Sequence, residues 1–271
     1  MSGRVAEESG RVSRSAPRAW VLAIVLWSAA QVALWWLPVG AAGGALAVGL
    51  AVACVVGAVL TVASLAPGHL GRVWWAVVVA LGLLGLVWLT PHDETDPFAA
   101  MSVFFALLVV GTGVGAAIGA RIEHAGHLLI VAYVSCIADL YSVFTPSAPS
   151  AHVAKSEALL SVVALPWPIL GTRTFVPLLG IGDVVLTALY LAAARHLGLG
   201  VRKTVAAFAL AYALTFGAVA LLGQALPALP LLAVAFVAVH PAVWRLRPED
   251  RRPALVGVVI TTAVFVALAF K

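Results

Sequence analysis

The chain has 271 residues, of which 63% are hydrophobic and 10% are charged, and its mean hydropathy is +1.09. A soluble domain of this composition would expose large apolar patches, so the composition excludes a soluble globular protein and indicates that lipid surrounds most of the chain. The net charge of +5 does not indicate nucleic-acid binding, because the basic residues lie at the ends of apolar segments rather than along one face.

Apolar segments of about 18 to 22 residues recur along the chain, and a helix of that length crosses a hydrocarbon core of about 30 Å. Backbone groups in lipid must bond within their own segment, so each segment is predicted to be a helix. The predicted fold is all-α, a polytopic bundle of about nine transmembrane helices in the cell membrane. In chain order the predicted spans are 19–37, 43–66, 73–90, 98–119, 126–145, 176–195, 204–222, 229–246 and 253–270.

The apolar segment 158–170 lies between the fifth and sixth predicted spans and is not counted as a crossing. It is short and contains Pro166 and Pro168, which cannot donate backbone hydrogen bonds in a helix interior. The segment is therefore predicted to be re-entrant, interfacial or locally extended, and its β-branched residues would allow it to extend beside a substrate.

The distribution of charge predicts a cytoplasmic N-terminus. With that orientation, Lys and Arg concentrate on the cytoplasmic side, and the acidic segment 92–96 lies outside. The largest basic group after the N-terminal tail comprises Arg245, Arg247, Arg251 and Arg252.

Two acidic residues, Asp139 and Asp183, lie inside predicted spans, whereas the other nine Asp and Glu residues lie in the tail or in loops. An ionisable group at membrane depth costs several kcal/mol unless it is paired or hydrated, so it marks a candidate functional site. Counting about 1.5 Å per helical residue places both carboxylates roughly 9 to 12 Å below the outer surface. Antiparallel neighbouring helices would bring them face to face.

Two close carboxylates share one proton, so that one acts as a general base and the other as a general acid. This pair can activate water against an amide without a metal or a cofactor, and either aspartate can be the base because a coupled pair titrates as a unit. The same carboxylates would also suit a proton- or cation-coupled membrane transporter. The chemistry alone leaves both functions open.

Three motifs follow one another along the chain: Ala138-Asp139-Leu140-Tyr141, Gly180-Ile181-Gly182-Asp183 and Pro227-Ala228-Leu229. Over about 125–246 the chain resembles the presenilin and signal peptide peptidase family of intramembrane aspartyl proteases. The resemblance implies an intramembrane aspartic endopeptidase that cleaves transmembrane or signal-peptide substrates in contact with membrane lipid. It further implies that Asp139 and Asp183 are catalytic and that the substrate-binding residues are Gly180, Gly182, Pro227, Ala228 and Leu229.

The glycines and prolines of these motifs also have physical interpretations. Gly180 and Gly182 remove side chains beside Asp183 and would let a substrate backbone approach. Pro227 and Pro230 interrupt a helix and leave backbone groups with which an extended substrate could pair. The alternatives are a plain turn for the prolines and close helix packing for the glycines, as expected for Gly111, Gly115 and Gly119.

The chain departs from the family pattern at Ala138, where the family usually has Tyr, and it has four spans rather than five before Asp139. A catalytically inactive, substrate-binding homologue is therefore a further alternative. The predicted regions are a cytoplasmic basic tail over 1–18, a four-helix membrane region over 19–124, a catalytic membrane core over 125–252 and an additional C-terminal span over 253–271.

Overall fold

The computed structural model describes residues 2–36, 44–68, 74–89, 96–145, 156–224 and 226–269. Most of these residues are helical, and a two-stranded sheet interrupts the series of helices. In chain order the elements are α1 (Ser2–Trp36), α2 (Gly44–Leu65), α3 (Trp74–Leu89), α4 (Pro97–Gly119), α5 (His127–Phe144), α6 (Glu157–Val163), β1 (Ala164–Ile169), β2 (Thr174–Gly180), α7 (Ile181–His196), α8 (Val201–Leu222), α9 (Leu229–Val239), a 3-10 helix (Pro241–Trp244) and α10 (Pro248–Ala269).

Six helices among the described residues are long and apolar enough to cross a membrane. They are Pro17–Trp36 within α1, the whole of α2, α4, α5 and α8, and Pro248–Leu268 within α10. The prediction of a largely helical membrane protein is thereby supported, whereas the count of nine spans and the side of the N-terminus stay predictions. Of the predicted acidic outer segment 92–96, only Asp96 belongs to the described residues.

The chain divides into two compact units, one comprising residues 1–118 and 161–192 and the other comprising 119–160 and 193–271. The first unit contains α1 to α4, the sheet and most of α7. The second unit contains α5 and α8 to α10. Asp183 therefore belongs to the first unit and Asp139 to the second.

In the first unit, β1 and β2 form an antiparallel hairpin in which Ala164 pairs with Gly180 and Ile169 pairs with Thr174. The prediction that segment 158–170 is locally extended is confirmed over β1. The prediction that the sixth span is helical from residue 176 is wrong, because residues 176–180 belong to β2. Pro177 accounts for the difference, since proline lacks the N–H that a helix needs and favours an extended conformation at the preceding residue.

The strand β1 is buried along its whole length. The ring of Trp167 packs edge-on against Trp27 of α1 and Phe104 of α4, with ring centroids 6.2 Å and 5.2 Å apart. Gln31 of α1 is fully buried and donates a hydrogen bond from Nε2 to the carbonyl oxygen of Pro166 at 2.7 Å. A single amide inside an apolar helix thus ties the hairpin to α1.

Close packing on α7 explains two glycines of α4. A Cβ atom at Gly111 would lie 2.8 Å from Val184 Cγ1, and one at Gly115 would lie 2.1 Å from the carbonyl oxygen of Val185. The packing interpretation of these two glycines is confirmed. Helix α7, which carries Asp183, is therefore held against α4 at backbone distance.

In the second unit, α9 packs against both α5 and α8, and α10 packs against α5. The prediction that the eighth span is helical over 229–246 is wrong beyond Val239, where α9 ends before the 3-10 helix. Pro241 accounts for this end, because a proline there removes the N–H that would bond to the carbonyl oxygen of residue 237.

Candidate functional site

The carboxylate of Asp139 accepts a hydrogen bond from the backbone N–H of Leu229, with Oδ2 and N 3.0 Å apart. Asp139 is half-buried on α5, and Leu229 is the first residue of α9. The first N–H groups of a helix have no acceptor within the helix, so the carboxylate satisfies a donor that would otherwise need water. Asp139 therefore acts as a side-chain acceptor at the start of α9.

Two prolines explain why a helix begins at this point. Pro230 occupies the second position of α9, where its missing N–H costs no internal hydrogen bond. Pro227 lies before the helix and prevents α9 from extending backwards as an undistorted helix. Pro227, Ala228 and Leu229 are all half-buried, and within this predicted substrate-binding group it is Leu229 that bonds to Asp139.

Asp183 is the third residue of α7, the helix that begins directly after β2. The positive end of the helix dipole favours a carboxylate at this position. A Cβ atom built on Gly180 would lie 3.6 Å from Asp183 Oδ2, so this carboxylate lies beside the junction of β2 and α7. The predicted depth of Asp183 assumed a helix from about Phe175, and this assumption is wrong because the helix begins at Ile181.

Neither close packing nor backbone conformation explains the two glycines before Asp183. A Cβ atom at Gly182 would meet no described atom within 4 Å, and one at Gly180 would make only an ordinary contact with Asp183. Neither glycine is among those with positive φ, which are Gly171, Gly198, Gly200 and Gly223. The surroundings of Gly182 differ from those of Gly111 and Gly115, where neighbouring atoms occupy the space.

The structure thus brings the third motif to Asp139 in one unit and the Gly-x-Gly pair to Asp183 in the other. Pairing of the two carboxylates stays a prediction. Among the described residues, no group of three or more His, Cys, Asp or Glu side chains could hold a metal ion.

Two tyrosines near Asp139 are engaged with α10. The hydroxyl of Tyr133 is hydrogen-bonded to Thr262, and the ring of Tyr141 lies 5.3 Å from that of Phe265. Ala138 precedes Asp139 in the chain and is half-buried. At this position the presenilin and signal peptide peptidase family usually has Tyr.

The structural role of Gln31 was not predicted from the sequence. Gln31 holds β1, which pairs with β2, and β2 leads into the helix that carries Asp183. The signal was present, because an amide is costly in an apolar helix unless it finds a hydrogen-bond partner. Its partner, the carbonyl of Pro166, is 135 residues away and carries no mark in the sequence.

Comparison of the chain with protein-family models, with curated proteins and with solved structures finds no match. A functional assignment therefore rests on the residues of this chain and on their geometry.

Proposed function

We propose that the protein is an intramembrane aspartic endopeptidase that hydrolyses peptide bonds within transmembrane segments or signal peptides, with Asp139 and Asp183 as its catalytic residues. The observation that carries this proposal is the 3.0 Å hydrogen bond from Leu229 N to Asp139 Oδ2. It joins two of the three motifs across 90 residues of sequence. A plain turn at 227–230 would need no carboxylate from another helix.

The proposed reaction needs one proton shared between the two carboxylates. The ionised carboxylate takes a proton from water while the water oxygen bonds to the amide carbon, and the protonated one gives its proton to the amide nitrogen as the carbon–nitrogen bond breaks. The products are a carboxylic acid and an amine, and the pair again holds one proton. The water comes from the outer side of the membrane, towards which both aspartates are proposed to lie.

The exposure of strand β2 supports a role for this strand in presenting the substrate peptide bond to Asp183. In contrast to buried β1, β2 is exposed or half-buried at six of its seven positions. Among the described residues the sheet has two strands, so the outer edge of each has no described strand partner. Such an edge can bind an extended peptide through backbone hydrogen bonds. A substrate helix that unwinds against β2 would expose its amides next to the Gly180–Asp183 junction.

The shortness of α9 supports a site within the membrane. Its 11 residues span about 16 Å, roughly half of a hydrocarbon core. If the arginines after Trp244 lie at the cytoplasmic surface, Leu229 begins its helix at membrane depth, where non-helical backbone is tolerated only beside protein or a water-filled cavity. Such a cavity would supply the water for hydrolysis.

The proposal includes nine spans and a cytoplasmic N-terminus. In that topology α5 runs from the inside to the outside and α7 returns, which resembles the orientation in signal peptide peptidases rather than that in presenilins. Substrates that enter with their N-terminus inside, such as leftover signal peptides, are then favoured.

The test is reconstitution of the purified chain into liposomes with a signal peptide labelled at both ends. We expect cleavage within the apolar segment, with the cut bond located from the masses of both products. Proton flux is recorded in the same liposomes under a pH gradient. A flux that depends on the aspartates, together with an intact peptide, would establish the transporter instead, and tight peptide binding with neither activity would indicate an inactive homologue.

Gly182→Ala provides a sharper test, because no described atom opposes the added methyl group. Alanine is favoured over glycine in a helix by roughly 0.5 to 1 kcal/mol, so the variant should fold at least as well as the wild type. We nevertheless expect cleavage to fall at least about tenfold, since the methyl group would occupy space that the substrate backbone needs. The measurement is initial cleavage rate alongside thermal unfolding.

Gly49→Ala is the matched control for this substitution. Gly49 lies in α2 of the same unit, and a Cβ atom there also meets nothing within 4 Å. We expect unchanged cleavage in this variant. Equal cleavage by the Gly182→Ala variant and the wild type would remove Gly182 from the substrate-binding site.

A further inference from the structure

A large apolar cavity lies in the second unit between α5, α9 and α10. Its volume is about 660 Å³, within the range of about 300 to 1,000 Å³ that is typical of small-molecule sites. Leu129 and Tyr133 of α5, Val237 of α9, and Ala254 and Val258 of α10 are among the side chains that line it. The lining is overwhelmingly apolar, so a ligand that fills this cavity must itself be largely hydrocarbon.

The charged residue of the lining is Arg251, an exposed arginine near the start of α10. Of the two nearby carboxylates, Glu249 is paired with Arg247 at 3.4 Å, and Asp250 Oδ2 lies 3.4 Å from His127 Nε2. Arg251 takes part in neither of these contacts. The apolar cavity therefore has a positive charge at one edge.

The surrounding sequence strengthens this positive charge. Residues 245–252 contain four arginines and two carboxylates, so the segment has a net charge of +2. Trp244, which also lines the cavity, precedes this segment, and tryptophan commonly lies at the level of lipid head groups. Charge and hydrophobicity are thus separated along the cavity as they are along a lipid molecule.

We propose that this cavity binds an anionic phospholipid, with an acyl chain between α5, α9 and α10 and the head-group phosphate paired with Arg251. A chain that crosses the membrane is surrounded by phospholipid, which makes a bilayer lipid the occupant rather than a free fatty acid. An apolar peptide would fill the cavity but would leave Arg251 without a complementary charge. A lipid seated here would link α10 to α5, the helix that carries Asp139.

The test uses the full chain, purified and stripped of lipid, with phosphatidylglycerol, phosphatidylcholine and oleate titrated separately and bound molecules counted by native mass spectrometry. We expect phosphatidylglycerol to bind most tightly. Arg251→Gln should weaken its binding about fivefold, which is the effect of losing one cation beside an anionic head group. Arg252→Gln, which removes the same charge from a residue that does not line the cavity, should weaken binding clearly less than Arg251→Gln does.

Two cavity-filling variants test the acyl-chain site independently of charge. Val258→Trp on α10 and Ala238→Trp on α9 both place an indole in the cavity, and either one that retains the wild-type unfolding temperature should lose most of the bound lipid. Equal weakening by Arg251→Gln and Arg252→Gln, tighter binding of oleate, or full lipid binding by a folded tryptophan variant would each overturn the proposal. None of these measurements depends on peptide cleavage, so their outcome is separate from that of the protease proposal.

Discussion

Asp139→Asn and Asp183→Asn are each expected to lower the cleavage rate of a reconstituted signal peptide by at least about a hundredfold, the smaller end of the usual effect of removing a general acid or base. Each substitution replaces a carboxyl group that can exchange a proton with an amide that cannot. Because the proposed mechanism uses the two carboxylates as one unit, the double variant should be scarcely slower than either single variant. The measurement is the initial rate in liposomes of identical composition.

Two substitutions at Asp139 separate its proposed chemical role from its structural role. Asparagine keeps an oxygen that can accept the hydrogen bond from Leu229 N, whereas alanine leaves that N–H without its acceptor. Both Asp139→Asn and Asp139→Ala should be inactive. Only the alanine variant should also lose stability, by about 1 kcal/mol for a half-buried donor.

Glu249→Gln is the control for the general effect of removing a carboxylate from the second unit. Glu249 is exposed and its ion pair with Arg247 is a surface contact, so cleavage should be unchanged. Wild-type cleavage by either asparagine variant would exclude that aspartate from the chemistry. A cleaving Asp139→Asn variant combined with an unstable Asp139→Ala variant would reduce Asp139 to a cap for α9.

Helix positions could be predicted where the membrane sets the length of an apolar segment. The predicted span 43–66 corresponds to α2 over Gly44–Leu65, and the predicted span 98–119 corresponds to α4 over Pro97–Gly119. These bounds follow from hydrophobicity, because charged side chains and backbone groups without internal hydrogen bonds are excluded from lipid. The same rule overestimated the lengths of two helices. Near Pro177 the chain forms β2 before α7 begins, and α9 ends shortly before Pro241.

The sequence points to the residues of the candidate site but not to the contacts that those residues make. Asp139 and Asp183 stand out because a charge in an apolar segment is costly, and the resemblance adds the glycines and residues 227–229. That Leu229 is the residue whose N–H bonds to Asp139 depends on where α9 begins and on how α9 packs against α5. Such a long-range contact has no periodicity, so local sequence patterns do not reveal it.

Gly115→Ala is expected to be far more damaging than its size suggests. The added Cβ atom would lie 2.1 Å from the carbonyl oxygen of Val185 and 2.9 Å from the Cβ atom of Ala188. The first of these atoms belongs to the backbone and cannot rotate away, so α4 and α7 must separate. We expect a loss of about 3 kcal/mol in unfolding free energy, the upper part of the usual range for overpacking.

The separation of α4 from α7 would also move Asp183, which lies two residues before Val185 in the same helix. Cleavage should therefore fall by about a hundredfold in the fraction of Gly115→Ala protein that remains folded, since a displacement of about 1 Å at a reacting group has effects of that size. Gly49→Ala, with open space around its Cβ position, should be neutral or slightly stabilising. Full cleavage by folded Gly115→Ala protein would mean that the packing of α7 against α4 does not determine the position of Asp183.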